Sequence, residues 1–170
     1  MPRSFDMAAE YEGSVEQVYR TFGDERYWLA RLAESGADKT TLDAMADTAD
    51  GGVDVVTTQT LRADRLPAVV TQFHHGDLSF VREETWGPLV DGRATAVVKG
   101  SIPRAPATLT GTAVLRRRDD GTGARLEFCA TVEVKIPLVG GKVENFIGNQ
   151  LVDLLIAEQR FTTEWIDHGV

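Results

Sequence analysis

The chain has 170 residues, of which 42% are hydrophobic and 26% are charged, and its formal net charge is −8 at pH 7. This length supports one well-buried core, and we expect a single domain over residues 1–170. The negative charge argues against a general nucleic-acid-binding surface or a surface for anionic membranes, because either polyanion would repel the chain.

The first predicted elements are a strand and two short helices. Apolar and polar residues alternate over Phe5–Tyr11, which is the period of a half-buried strand. Ser14 and Gln17 have the spacing of a capping box, so a helix should begin after Ser14. Asp24 is placed to cap a second helix, which we expect to run to Gly36.

The middle of the chain has the two-residue period of strands. Short turn-forming segments such as Asp50-Gly51-Gly52 separate the strands, so neighbours should pair antiparallel. Residues 63–78 interrupt this period and predict a short helix or a gate-like loop. The predicted strands are Thr41–Ala49, Val53–Arg62, Ser79–Trp86, Arg93–Lys99, Ala107–Arg118 and Ala124–Ile136.

From Leu138 the period returns to that of a helix and holds almost to the end of the chain. An antiparallel sheet with one apolar face needs a cover, and this helix is long enough to supply it. The predicted fold is α+β, a curved antiparallel sheet of about seven strands around a long C-terminal helix, with two short helices after the first strand. The apolar face of the long helix consists of Val143, Ile147, Leu151, Leu154, Phe161 and Trp165.

This order of elements resembles the helix-grip fold of the START-like (SRPBCC) superfamily, which includes birch-pollen allergens, polyketide cyclases and lipid-transfer domains. The resemblance covers essentially the whole chain and implies a hollow between sheet and helix that holds an apolar ligand. It implies no catalytic residue, because the superfamily shares no catalytic motif. An uncharacterised actinobacterial family within that superfamily looks similar at Tyr27-Trp28, Leu66-Pro67, Gly76-Asp77-Leu78, Glu84-Thr85-Trp86, Ile136–Glu144 and Glu158–Trp165.

The inward positions of the strands and the apolar face of the long helix should line the hollow. Small residues at inward positions, namely Gly111, Ala113 and Ala130, favour a cavity over a filled core. The loop from Leu66 to Leu78, with the residues near Gly140, should frame the mouth. The predicted lining residues are Gln59, Leu61, Phe73, Phe80, Arg82, Trp86, Leu109, Gly111, Ala113, Phe128, Ala130, Val132, Ile147, Gln150, Leu151, Leu154, Glu158 and Phe161.

Charged residues fall among these inward positions. Strand alternation places Arg82 and Glu84 on the inward face, and the helical period places Glu158 and Gln150 on the apolar face of the long helix. One interpretation is a structural ion pair of Arg82 with Glu158 or Glu84 at the sheet edge. The other is a polar end of the cavity, where Arg82 orients a ligand and Glu84 or Glu158 acts as a general base.

The segment Lys135–Phe146 joins the last strand to the long helix and contains Gly140-Gly141-Lys142. A phosphate-binding P-loop has a glycine four residues before its Gly-Lys pair and a serine or threonine after the lysine. Here the first glycine position is Ile136 and the hydroxyl position is Val143. We therefore interpret the two glycines as points of close packing where the chain enters the helix.

Metal and thiol chemistry receive little support from the sequence. His74, His75 and Asp77 offer ligand atoms, but adjacent histidines rarely point the same way and a zinc site needs three or four converging ligands. We expect surface histidines in a loop. Cys129 falls on the outward face and has no evident activating histidine. We predict neither a metal nor a cofactor.

The compartment is expected to be the cytoplasm. Cys129 is the only cysteine, so no intramolecular disulfide can form, and a reducing compartment is the simplest expectation. The first residues include acids and lack the apolar stretch of a signal peptide, and no run approaches the length of a membrane span. We expect no membrane insertion.

The leading hypothesis is a non-enzymatic protein that binds a hydrophobic small molecule, such as a lipid or a polyketide, between the sheet and the long helix. The second is a cyclase or dehydratase that uses Arg82 with Glu84 or Glu158 in an otherwise apolar pocket. The third is an interaction module whose apolar groove takes a partner chain. The sequence leaves the oligomeric state open.

Overall fold

A computed structural model of the chain describes residues 2–72 and 74–168. Its strands are β1 Arg3–Tyr11, β2 Lys39–Asp47, β3 Val53–Leu61, β4 Leu78–Trp86, β5 Arg93–Ser101, β6 Ala107–Arg117 and β7 Ala124–Val134. Its helices are α1 Val15–Phe22, α2 Glu25–Ala33, α3 Ala68–Thr71 and α4 Gly140–Asp167, and a 3-10 turn spans Ala63–Arg65. The strands form one antiparallel sheet in the order β1-β7-β6-β5-β4-β3-β2. This architecture confirms the predicted α+β fold class.

The two short helices begin at the residues that the sequence indicates. The Ser14 hydroxyl accepts a hydrogen bond from the Gln17 amide at 3.1 Å, and the Gln17 side chain accepts one from the Ser14 amide at 2.8 Å. The Asp24 carboxylate accepts from the Arg26 amide at the start of α2. These side chains satisfy amides that have no partner within their helices. α2 ends at Ala33, before the predicted end at Gly36.

The interior of the fold contains two clusters of apolar side chains. The aromatic core lies beside α1 and α2 and includes Phe22, Trp28 and Trp86, with the rings of Phe22 and Trp86 stacked at 4.7 Å between centroids. The aliphatic core lies under the first half of α4 and includes Leu109 and Leu151. One end of the sheet is therefore filled by bulky rings, and the other is bounded by aliphatic side chains.

α4 approaches the β1 edge of the sheet very closely. A methyl group on Gly148 would overlap the ring of Phe5, so any other residue there would require that ring to move. None of the helices in the described part of the chain combines the length and the apolar character that a membrane span requires.

The join between β7 and α4 depends on one of its two glycines. A methyl group on Gly140 would lie 2.7 Å from the carbonyl oxygen of Val134, whereas the nearest atom to one on Gly141 is the Arg3 Nη2 at 3.4 Å. The prediction of close packing is therefore confirmed at Gly140 and is wrong at Gly141. The fully buried Glu144 accepts a hydrogen bond from the Val134 amide at 2.9 Å and so ties the first turn of α4 to the end of β7.

Candidate functional site

A cavity of about 660 Å³ lies between the inner face of the sheet and the first half of α4. Some of its lining residues are exposed, including Gly36, Arg65 and Gln150, so the cavity reaches the molecular surface at these residues. The predicted lining residues that the structure brings together around it are Gln59, Leu61, Phe80, Leu109, Val132, Ile147, Gln150, Leu151 and Leu154.

Other predicted lining residues lie away from the cavity, because the aromatic core fills their end of the sheet. Trp86 and Ala113 belong to that core, and Phe161 packs its ring 5.8 Å from the ring of Tyr27. Gly111 leaves no open space either, since a methyl group there would lie 3.1 Å from the ring of Phe128. Phe128 itself packs against both cores and does not line the cavity.

The other four predicted lining residues are Ala130, Arg82, Glu158 and Phe73. Ala130 is buried in the aliphatic core without lining the cavity. Arg82 and Glu158 belong to a cluster of ion pairs. Phe73 lies outside the described residues.

Loops supply lining residues that strand periodicity does not indicate. One source is the cap segment, which we define as the described residues 62–72 and 74–77 between β3 and β4, and another is the loop between β5 and β6. Loop residues follow no periodic pattern. The sequence therefore indicated some of these lining residues only through the predicted position of the cavity mouth. The lining residues from these loops and from the loop between α2 and β2 include Ser35, Ala37, Arg65, Leu66, Pro67, Val70, His74, Ile102 and Ala105.

Asp38 connects the cap segment to the loop between α2 and β2. Its carboxylate accepts a hydrogen bond from the Arg62 amide at 2.8 Å and pairs with Arg65 Nη1 at 2.7 Å. The hydrogen bond from the Arg62 backbone, followed by the bond from Arg65, lowers the pKa of Asp38. Within the cap segment itself, the Ala63 amide donates to the Asp77 carboxylate. The cap is thus attached by polar contacts at its base.

His74 differs from the predicted surface histidine, because it is buried and lines the cavity. Its Nε2 lies 3.1 Å from the carbonyl oxygen of Asp77, which can only accept, so Nε2 carries a proton. The His74 amide donates a hydrogen bond to the Val70 carbonyl oxygen at 3.0 Å, which ties this residue to α3. Within residues 2–72 and 74–168, no group of three or more His, Cys, Asp or Glu side chains is arranged to hold a metal ion.

The three charged candidates, Arg82, Glu84 and Glu158, converge as the sequence indicates. Arg82 Nη2 lies 2.7 Å from Glu158 Oε2, and both side chains are largely buried, with 9% and 16% of their surfaces exposed. Arg31 joins them, with its Nη2 at 3.2 Å from Glu158 Oε2 and 3.4 Å from Glu84 Oε2. The cluster therefore contains two guanidinium groups and two carboxylates, which balance in charge.

Arg31 is the member of this cluster that the sequence prediction missed. Its guanidinium lies 4.3 Å from the ring centroid of Trp28 and donates to the Tyr27 hydroxyl at 3.3 Å. The spacing of Arg31 from Tyr27 and Trp28 places all three on one face of α2, which is the signal that could have identified it. The Tyr27 hydroxyl in turn lies 2.7 Å from the Thr162 hydroxyl on α4.

The charge cluster lies behind the inner end of the cavity and does not line it. Phe80 and Leu154 line the cavity, while Arg82 follows Phe80 on the same face of β4 and Glu158 follows Leu154 by about one turn of α4. Burial disfavours the charged form of Glu158, but Arg31 and Arg82 outweigh it and lower the pKa of this carboxyl. A general base needs a raised pKa near the working pH, so this shift opposes that role.

Cys129 is exposed on the outer face of the sheet, as predicted. A hydrogen bond with Asp6 raises the pKa of its thiol, which disfavours the reactive thiolate.

Comparison with known proteins gives whole-length relatives. The chain is 52% identical over 174 aligned positions to the uncharacterized protein Rv0481c of Mycobacterium tuberculosis (strain ATCC 25618 / H37Rv), and the alignment covers 100% of both chains. The uncharacterized protein Mb0491c of Mycobacterium bovis (strain ATCC BAA-935 / AF2122/97) shows the same identity and coverage.

Solved structures share the fold at low sequence identity. TTHA0849 from Thermus thermophilus superposes with a TM-score of 0.63 at 16% identity, covering 98% of this chain and 99% of that one. Ms6760 from Mycobacterium smegmatis gives 0.59 at 9% identity, with 98% and 92% covered. Ara h 8.0201 gives 0.57 at 8% identity, with 96% and 99% covered. These likenesses establish a helix-grip-like fold.

The model of one protein family matches nearly the whole chain. It spans residues 6–166, from within β1 to the last turn of α4, and its description is "Protein of unknown function (DUF2505)". The chain therefore belongs to the DUF2505 family.

Proposed function

We propose that this chain, as a single helix-grip domain of START-like type, binds or carries a hydrophobic small molecule in the cytoplasm. The ligand class is lipid- or polyketide-like, and its site is the cavity between the sheet and α4. The observation that carries the proposal is the cavity itself, which has a volume of about 660 Å³ and mostly apolar walls.

The size of the cavity supports a drug-sized or lipid-sized ligand. Sites for small molecules in proteins have volumes of about 300–1,000 Å³, whereas a cavity of about 150 Å³ already accepts benzene. Because the cavity reaches the surface, its apolar walls are open to water, and this exposure is unfavourable. A ligand that fills the space between Phe80, Leu109 and Leu151 would remove these walls from water.

The helix-grip-like fold supports the same proposal. The resemblance to the START-like superfamily implies a hollow for apolar ligands at this position, and the cavity lies under the helix that the sheet holds. An interaction module is less well supported, because its expected feature is an exposed apolar groove without an internal cavity. The catalytic alternative gains nothing from Arg82, Glu84 and Glu158, because Arg82 pairs with Glu158 and both carboxylates pair with Arg31 behind the cavity wall.

A screen of lipids and aromatic metabolites tests the proposal with the purified chain. Native mass spectrometry should detect a one-to-one complex, and the same compound should raise the melting temperature because it binds only the folded state. Absence of both signals across a saturating lipid and polyketide panel would count against ligand binding.

Two tryptophan substitutions on α4 locate the bound molecule. Ile147→Trp adds bulk inside the cavity, whereas Val152→Trp adds the same group at an exposed position of the helix. We expect Ile147→Trp to abolish the complex and Val152→Trp to retain it. Equal binding by the two variants would place the ligand elsewhere.

A further inference from the structure

Two carboxamide side chains line the cavity without hydrogen bonds of their own. Gln59 lies on β3 beside the cross-strand residue Phe80, and Gln150 lies on the first half of α4. Neither carboxamide makes a hydrogen bond to another residue in the described ranges 2–72 and 74–168. A carboxamide has both donor and acceptor atoms, so each offers a pairing site for a polar group in the cavity.

The arginines near the cavity are already paired with carboxylates. Arg65 is the charged side chain among the described lining residues, and it is bound to the Asp38 carboxylate at 2.7 Å and to the Gly36 carbonyl oxygen at 3.2 Å. Arg31 and Arg82 are paired with Glu84 and Glu158 and do not line the cavity. An anion inside the cavity would therefore find no unpaired arginine or lysine among the described lining residues, and burial of an unpaired charge is very costly.

We propose that the ligand of this cavity is an uncharged amphipathic molecule, with a hydroxyl, carbonyl or ester group that hydrogen-bonds to the Gln59 carboxamide. Its apolar part lies against Phe80, Leu109 and Leu151. This inference rests on the proposed function and narrows its ligand class. A free fatty acid or another ionised carboxylate is disfavoured, and so is a pure hydrocarbon, which would leave the carboxamide desolvated and unpaired.

A matched series of ligands tests this selectivity with the full chain. Tetradecanol, methyl tetradecanoate, tetradecane and tetradecanoate share a similar apolar chain and differ at one end. Displacement of the neutral dye Nile red gives their relative affinities at about pH 8, where a carboxylic acid is ionised. We expect the alcohol and the ester to bind at least about tenfold more tightly than the carboxylate and the hydrocarbon.

Substitution of Gln59 tests the proposed contact. Gln59→Leu should lower the affinity for the alcohol and the ester by about tenfold. The affinity for tetradecanoate should stay unchanged, and the affinity for tetradecane should rise. Gln59→Met, which keeps an unbranched side chain of similar length, should give the same pattern if Gln59→Leu folds poorly. Gln72→Leu is the matched control, because Gln72 is an exposed carboxamide on the cap segment that does not line the cavity.

The outcomes separate this inference from the proposed function. Equal affinity for all four compounds, tighter binding of the carboxylate, or no effect of either Gln59 variant would overturn the inference and leave ligand binding intact. Failure of every compound to bind would overturn both.

Discussion

A single carboxylate oxygen, Glu158 Oε2, lies 2.7 Å from Arg82 Nη2 and 3.2 Å from Arg31 Nη2. Arg82 belongs to β4, Arg31 to α2 and Glu158 to α4, so this oxygen connects the sheet to both covering helices. The cluster thereby holds α4 in place at the inner end of the cavity. Its effect on function is indirect, because it fixes the position of α4, which forms one wall of the cavity.

Loss of the Glu158 carboxylate should destabilise the fold strongly. Glu158→Ala leaves two buried guanidinium groups with one fewer partner, and removal of one member of a buried pair typically costs about 3–5 kcal/mol. Urea denaturation should show a loss in the free energy of unfolding of about 3 kcal/mol. Glu164→Ala, on an exposed face of the same helix, should stay within about 0.5 kcal/mol of the wild type. Similar losses for the two variants would contradict a structural role of the cluster.

Stability should depend on the Glu158 charge in a defined pH range. Burial raises the pKa of this carboxyl, but Arg31 and Arg82 prevail, so its folded-state pKa lies below the ordinary value of 4.5. Its stabilising contribution is complete above that ordinary value and is lost as the pH falls through the lowered folded-state pKa. The stability difference between wild type and Glu158→Gln should therefore be largest above pH 4.5 and shrink below it. A difference that grows on acidification would contradict the assigned sign.

The fold could be predicted because its signals are periodic. Strand alternation placed Arg82 and Trp86 on the inner face, where both are buried, and the helical period placed Leu151 and Glu158 on the covered face of α4. Turn residues between strands fixed the antiparallel order. These signals are local, so they can be recognised in the sequence without knowledge of the tertiary structure.

The extent of the cavity could not be predicted in the same way. Alternation shows that a side chain points inward but not what fills the space in front of it. Trp86 points inward against Phe22, which comes from α1, and Gly111 faces the ring of Phe128. His74 is buried by the turn of the cap segment, for which the sequence has no period. Packing between distant segments decides these positions.

The paired glycines at the start of α4 should respond in opposite directions to the same substitution. Gly141→Ala meets only the end of the Arg3 side chain and replaces a poor helix former, so it should stabilise the fold by up to about 1 kcal/mol. Gly140→Ala meets the carbonyl oxygen of Val134 and should destabilise it by about 1–3 kcal/mol. Thermal and urea unfolding of both variants provide the comparison. Equal changes would show that the join tolerates a shift of α4.

Release of the cap segment should accelerate ligand exchange. Asp38→Ala removes the acceptor of the Arg62 amide and the partner of Arg65, so the base of the cap loses both contacts. We expect several-fold faster association and dissociation of a bound dye in stopped-flow measurements, and faster trypsin cleavage after Arg62 or Arg65. Asp64→Ala is the control, because Asp64 is exposed and, within the described residues, forms an ion pair only with Arg62. Unchanged exchange in Asp38→Ala would rule out the cap as the route of entry.

Gly100→Ala should narrow the cavity with little loss of stability. A methyl group on Gly100 would lie 2.7 Å from Cζ of Phe80, the far end of a side chain that lines the cavity. The ring can move away from β5, and that movement takes up cavity space. Dye titration should show weaker binding, while the free energy of unfolding changes by less than about 1 kcal/mol.

Gly111→Ala is the matched substitution on the next strand, and it should have the opposite effects. Its methyl group would lie 2.8 Å from the carbonyl oxygen of Cys129, which is backbone and cannot move aside alone. Stability should therefore fall by about 1–3 kcal/mol. Dye affinity of the folded variant should stay at the wild-type value, because Gly111 does not line the cavity. The opposite result, wild-type dye affinity in Gly100→Ala and reduced dye affinity in Gly111→Ala, would contradict this prediction. It would mean that the bound molecule lies closer to the aromatic core than to Phe80.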